Sequence, residues 1–97
     1  LPWIDTGALY SQFPAAMLER LGYRPDSTRR FRLADGSVVE TPIGDVRIRI
    51  GGEIRTVTCV FAEQGSDPLL GATTLEAFSL AVDPVNETLN PVIALRL

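Results

Sequence analysis

Histidine and lysine are both absent from this chain of 97 residues. Without histidine, the chain cannot form a Ser-His-Asp triad, a Cys-His pair or a histidine-ligated metal site. The single cysteine, Cys59, cannot form an intrachain disulfide, and its apolar surroundings in residues 57–61 predict a buried structural thiol rather than a nucleophile. No phosphate-binding loop or dinucleotide glycine motif is present. These absences leave carboxylate chemistry, or no catalysis at all.

Long apolar runs and basic clusters are also scarce. No run approaches the ~20 residues of a membrane span and no signal peptide is visible, so we expect no membrane partner within this segment and a cytoplasmic location. The net charge is −3, and the nine basic residues are all arginine. They cluster only at residues 29–32, which predicts a solvated strand edge and no nucleic-acid partner. No linker divides the sequence, so residues 1–97 are predicted to be one domain.

Turn residues and alternating apolar residues predict a mainly β fold with one or two short helices. Asp35-Gly36 favours a hairpin, because a tight turn needs positive φ at its centre. Gly51-Gly52 predicts a second hairpin, whose return strand is expected over residues 54–61. Before this turn, the alternation predicts that one face of the strand carries three apolar side chains, Val46, Ile48 and Ile50, with Arg47 and Arg49 on the other.

One short helix is predicted before these hairpins and another after them. The segment "FPAAMLERLG" favours a helix that Gly22 ends, with a shared face formed by Ala15, Leu18 and Leu21. Leu69-Leu70-Gly71 is predicted to be a short strand ending in glycine. Thr73 or Thr74 is then expected to cap a helix through Phe78, supported by Glu76. Further strands are predicted at residues 80–82 and near Leu89.

The stretch "PWIDTGALYS" presents a lone carboxylate, Asp5, directly after apolar residues. One interpretation is structural, because Asp-Thr-Gly is favourable turn chemistry. The other is that a strand positions Asp5 for catalysis. The motif alone does not decide between a structural turn and a reactive group.

The order of these features resembles the retropepsin-like aspartic proteases, which include the retroviral proteases. The resemblance is nearer to their single-domain cellular and bacterial relatives of the DNA-damage-inducible protein type. It is carried by "WIDTGA", "LERLG", "LADGS", "IGDVRIRIGG" and "LLGATTLEAFSLAVDP". It implies a small closed β-barrel-like acid protease fold with a flap hairpin. Since family members usually have a strand before the motif, the N-terminal strand is expected to be missing or trimmed here.

The resemblance also implies an aspartic endopeptidase that acts on polypeptides without a cofactor or metal. Asp5 would be the catalytic residue, and the single Asp-Thr-Gly means that the second carboxylate must come from Asp5 of an identical subunit in a homodimer. Active-site support would come from Thr6, Gly7, Ala8, Leu70 and Gly71. The flap tip over the substrate would comprise Ala34, Asp35, Gly36 and Ser37.

Other interpretations of the sequence stay open. A non-catalytic peptide-binding or dimerisation module could keep the protease fold, because a fold does not guarantee an activity. A purely structural β domain would use Asp5 as a turn residue only. The Asp35-Gly36 turn could likewise be an ordinary solvent-exposed hairpin.

Overall fold

The computed structural model describes residues 3–4 and 8–93, which form a mainly β domain with two short helices, as the sequence predicts. The elements in chain order are β1 (Trp3–Ile4), β2 (Ser11–Pro14), α1 (Ala15–Arg20), β3 (Ser27–Arg32), β4 (Val38–Ile50), β5 (Glu53–Ala62), β6 (Leu69–Leu70), α2 (Ala72–Ala77), β7 (Leu80–Asp83) and β8 (Thr88–Pro91). Neither helix in this part of the chain is long and apolar enough to cross a membrane.

The main sheet has six strands in the order β1-β6-β2-β5-β4-β3. The pairs β1–β6 and β2–β5 are parallel, and the other neighbouring pairs are antiparallel. Strands β7 and β8 form a separate antiparallel hairpin. Within the described residues no ladder joins the outer strands β1 and β3. The closed barrel therefore stays a prediction.

Both predicted β-hairpins of the main sheet are present. In the first, Arg32 pairs with Val38 across a turn in which Gly36 has a φ of +88°. In the second, Ile50 pairs with Glu53, and Gly51 and Gly52 have φ values of +58° and +88°. Two successive positive φ values are what a two-residue hairpin turn of type I′ requires, and glycine adopts them without a steric penalty.

Helix α1 ends at Arg20, and the predicted Gly22 terminates it two residues later. The Tyr23 N–H donates to the Leu18 carbonyl and the Gly22 N–H donates to the Glu19 carbonyl, while Gly22 has a φ of +93°. These two hydrogen bonds, together with a residue in the left-handed conformation after the helix, form a Schellman motif. The predicted shared face is wrong at Leu21, which is 68% exposed whereas Leu18 is buried. Leu21 follows the last helical residue, and the chain reversal brings Tyr23, not Leu21, against the core.

One cluster of the core lies between α1 and the β4–β5 pair. The buried members of this cluster are Leu18, Val46, Val57, Cys59 and Phe61. The predicted alternation along β4 is confirmed, because Val46 is buried, Ile48 packs against the core, and the intervening arginines are exposed. Cys59 is fully buried, also as predicted.

The Cys59 thiol is buried in the core. Desolvation, with a smaller contribution from the charge of Asp45, raises the pKa of Cys59 to about 12. Since the thiolate is the reactive form, we expect no modification of the native chain by an aromatic disulfide reagent at pH 8. In denaturant, one thiol per chain should react at once. Rapid labelling without denaturant would contradict this packing of β5.

Candidate active site

The structure describes the chain on both sides of the Asp-Thr-Gly motif. Asp5, Thr6 and Gly7 themselves lie outside the described residues. Before the motif, β1 is in parallel register with β6, with Ile4 opposite Leu70. After the motif, the Ala8 carbonyl accepts a hydrogen bond of 2.8 Å from the Ala72 N–H. Both flanks of the motif are therefore attached to residues 69–74, which we call the support segment.

Thr73 of the support segment also contacts the chain that follows the motif. The Leu9 carbonyl accepts hydrogen bonds from both the backbone N–H and the hydroxyl of Thr73, each at 2.9 Å. The predicted capping of α2 by Thr73 or Thr74 is wrong. The helix begins at Ala72 after Gly71, and no side chain caps it. Both threonines lie inside the helix, where their hydroxyls bond to the chain that follows the motif.

Gly71 packs directly against that chain. A Cβ atom at this position would lie 2.5 Å from the carbonyl carbon and oxygen of Tyr10 and 2.9 Å from the Ala8 oxygen. The φ of Gly71 is −98°, which any residue adopts, so glycine is required here by space and not by backbone conformation. Leu70 next to it is buried. This location suits the supporting role predicted for Leu70, Gly71 and Ala8.

A buried pair of hydroxyls, Ser11 and Thr74, lies beside Gly71. Both residues are 0% exposed, and their hydroxyl oxygens are 2.5 Å apart. The Ser11 hydroxyl also accepts a hydrogen bond of 3.0 Å from the Gly71 N–H. The sequence prediction missed this pair. The available signal was slight: a serine at the start of a strand and a threonine in a helix, both residue types that are more often exposed.

An open cleft of about 750 Å³ begins at Ala8, the residue after the motif. It lies between residues 8–12, the stem of the β3–β4 hairpin and the end of β5. The lining residues are Ala8, Leu9, Tyr10, Gln12, Phe31, Arg32, Leu33, Val39, Glu40, Thr41, Pro42, Val60, Phe61, Ala62 and Glu63. Most of them are apolar, with two carboxylates and one guanidinium among them. No group of three or more acidic or cysteine side chains in residues 3–4 and 8–93 is arranged to bind a metal ion.

The wall of the cleft contains an aromatic contact between the hairpin and the chain after the motif. The rings of Tyr10 and Phe31 meet edge to face, with centroids 6.0 Å apart. Arg29 donates a hydrogen bond of 2.9 Å to the Tyr10 hydroxyl, and its guanidinium carbon is 5.7 Å from the centre of the Tyr10 ring. The sequence prediction did not identify Tyr10 or Phe31 as site residues, because their proximity depends on how the hairpin folds back.

The hairpin tip carries the four predicted flap residues, Ala34, Asp35, Gly36 and Ser37. All four are exposed, and none lines the cleft. The Asp35 carboxylate accepts hydrogen bonds from the Ser37 hydroxyl at 2.6 Å and the Ser37 N–H at 2.8 Å. These two bonds, the hydroxyl first, lower the pKa of Asp35. The tip is therefore an internally bonded turn, and its role as a flap stays a prediction.

A family model described as aspartyl protease matches residues 3–74 of the chain. The match covers more than half of the sequence and includes the Asp-Thr-Gly motif, every residue that lines the cleft, and the support segment. Comparison with curated proteins and with solved structures gave no match.

Replacing Gly71 with alanine tests the packing at this site. The new methyl group would meet backbone atoms, which cannot rotate away, so we expect a loss of about 3 kcal/mol or more in the free energy of unfolding, the upper range for overpacking. Gly51→Ala is the matched control, since nothing lies within 4 Å of its Cβ position and only the positive φ opposes the substitution. That control should cost about 1 kcal/mol. Equal losses in urea titrations would contradict the close approach.

Proposed function

Since the chain belongs to the aspartyl protease family, we propose that it is a retropepsin-like aspartic endopeptidase that acts as a homodimer. The two Asp5 carboxylates, one from each subunit, would activate the water that attacks the peptide bond. The observation that carries this proposal is the position of the cleft. Its lining includes Ala8, the residue that directly follows Asp5-Thr6-Gly7 in the sequence, and the cleft is large enough for an extended peptide.

The need for a second copy follows from the other candidate aspartates. Asp35 bonds to Ser37 in the exposed hairpin tip. The Asp83 carboxylate accepts hydrogen bonds from the N–H groups of Val85 and Asn86 and from the Asn86 side chain. Both carboxylates thus stabilise turns, and neither is followed by Thr-Gly. A two-fold symmetric dimer supplies an identical Asp5 without any further motif.

The chemistry depends on the closeness of the two carboxylates. Two carboxylates a few ångströms apart cannot both ionise easily, and they share one proton, for which aspartic proteases are the standard example. The ionised partner accepts a proton from water while the protonated partner donates one to the peptide carbonyl oxygen. The two apparent pKa values belong to the pair and not to either Asp5. No metal or cofactor is needed for this reaction.

The lining of the cleft supports an extended polypeptide as substrate. Leu9 and Leu33 line it while remaining 59% and 46% exposed, which are large values for leucine beside a cleft. Burial of such side chains by apolar substrate groups removes them from water, at about 25 cal/mol per Å². Glu40, Glu63 and Arg32 add charged groups that can distinguish substrates. The β3–β4 hairpin would close over the bound peptide and exclude water.

Cleavage of an unstructured polypeptide across a range of pH tests the enzyme assignment. A shared proton predicts a bell-shaped dependence of kcat/KM with its maximum on the acid side of neutrality. Asp5→Asn should lower the rate by about 10³-fold or more, because it removes a reacting group. Asp67→Asn, the same change at an exposed aspartate that does not line the cleft, should leave the rate unchanged. A folded wild type that binds peptides without cleaving them would instead indicate a non-catalytic binding module.

Mixing subunits tests the shared site. Equal amounts of wild type and Asp5→Asn, after exchange, should give about a quarter of dimers with two intact carboxylates if pairing is random and symmetric. We therefore expect activity near one quarter of that of the same total amount of wild type. Wild type alone should lose activity faster than linearly on dilution. Retention of one half, with strict proportionality on dilution, would mean that each chain acts independently.

A further inference from the structure

We propose that Ser11 and Thr74 are positioning residues for the catalytic motif. Their buried hydroxyl pair determines where the support segment lies, and the support segment holds the chain on both sides of Asp5-Thr6-Gly7. This inference rests on the proposed function, since it assigns residues that act on the same site through its backbone.

The geometry of the pair leaves little freedom to either side chain. The Ser11 oxygen accepts the Gly71 N–H at 3.0 Å and lies 2.5 Å from the Thr74 oxygen, so one of the two hydroxyls donates to the other. Both residues are 0% exposed, so neither hydroxyl is in contact with bulk solvent. Every buried side-chain nitrogen and oxygen in the described part of the chain has a hydrogen-bond partner, including these two.

The pair acts on the motif through consecutive backbone bonds. The Gly71 N–H donates a hydrogen bond to the Ser11 hydroxyl. The next two N–H groups along the chain, those of Ala72 and Thr73, donate to the carbonyls of Ala8 and Leu9 respectively. On the other side, Leu70 lies in register with Ile4. A shift of Gly71 would therefore move both attachments at once. A displacement of about 1 Å at a reacting group can cost on the order of 10²-fold in rate.

Hydroxyl side chains such as Ser11 and Thr74 are unusual at fully buried positions. Replacing both partners of a buried hydrogen bond by apolar groups of the same shape can be nearly neutral for stability. A hydrogen bond restricts the distance and angle between its two groups, whereas a hydrophobic contact does not. An apolar pair would therefore fix the relative position of the two residues less tightly. The pair therefore contributes more to the position of Gly71 than an equally packed apolar pair would.

Thr74→Val is the informative substitution, since it removes the hydroxyl and preserves the shape. We expect kcat to fall about tenfold or more with KM changed less than about threefold, because the backbone of the motif is displaced while the cleft is intact. The acid limb of the pH profile should also shift, as the spacing of the carboxylates changes. Thr74→Ser, which keeps the hydroxyl, should retain kcat within about twofold. Wild-type kcat and pH profile in Thr74→Val would overturn the proposal.

Two controls separate positioning from general destabilisation. Thr58→Val makes the same chemical change at a hydroxyl that bonds to Asp45 outside the cleft, and kcat should be unaffected. Val57→Ala weakens the core at a residue that does not line the cleft. All variants are assayed below the onset of unfolding and at matched dimer content. If Val57→Ala loses as much kcat as Thr74→Val, the pair is merely structural and the proposal is wrong.

Hydrogen exchange provides a readout that does not depend on proteolysis. Thr74→Val should speed exchange of the Ala72 and Thr73 amides by about tenfold or more relative to the β4–β5 ladder, since their bonds to Ala8 and Leu9 are loosened. Unchanged exchange at both amides would overturn the proposal even if the wild type cleaved no substrate. Faster exchange in a chain without proteolytic activity would refute the proposed function and support the placement of the segment by Ser11 and Thr74.

Discussion

The close passage of Gly71 beneath the Tyr10 backbone is the constraint on which the rest of the candidate site depends. Strand β6 lies between β1 and β2 in the sheet, and it is parallel to β1. The connection from β1 to β2 therefore crosses the C-terminal end of β6, where Gly71 follows Leu70. A Cβ atom at Gly71 would lie 2.5 Å from Tyr10 backbone atoms, so the crossing at this distance requires glycine. The carbonyl oxygen of Ala8 also lies at this crossing, and Ala8 directly follows the Asp-Thr-Gly motif in the sequence.

This crossing also accounts for the hydrogen bonds around it. Because Gly71 lies so close to the crossing chain, its N–H reaches the Ser11 hydroxyl, and the next two N–H groups reach the carbonyls of Ala8 and Leu9. These three donors belong to the start of α2, where no intrahelical acceptor exists. The beginning of α2 thus satisfies its backbone on the chain that follows the motif. The first N–H groups of α2 already have acceptors and need no capping side chain. This explains why neither Thr73 nor Thr74 has the capping role expected from the sequence.

Local patterns predicted much of this fold, and long-range packing accounts for what they missed. The two hairpins and the end of α1 were predictable from Asp35-Gly36, Gly51-Gly52 and Gly22. Each of these turns needs a residue with positive φ, and glycine is the residue that adopts positive φ most readily. The parallel pairing of β2 with β5 joins residues nearly fifty positions apart, and no local pattern encodes it. Ser11 and Thr74 have no distinctive signature either, since buried and exposed hydroxyl residues look alike in a sequence. The exposure of Leu21 depends on where a six-residue helix ends, a boundary that periodicity resolves poorly.

The two walls of the cleft differ in how firmly they are held. One wall, formed by residues 8–10 and Gln12, is fixed by backbone hydrogen bonds to the support segment and by the buried hydroxyl pair behind it. The other is the β3–β4 hairpin. Among the strands that the structure describes, β3 is an outer strand that pairs only with β4, and Phe31 is its one partly buried residue. Few buried contacts and exposed backbone bonds are typical of segments that open at low free-energy cost. The contact of Phe31 and Arg29 with Tyr10 joins this hairpin to the fixed wall. On the proposed mechanism this division is what the reaction requires, because the carboxylates must keep their spacing while the hairpin admits a peptide. On that mechanism the Tyr10 ring, which belongs to the fixed wall, would be the surface against which the hairpin closes.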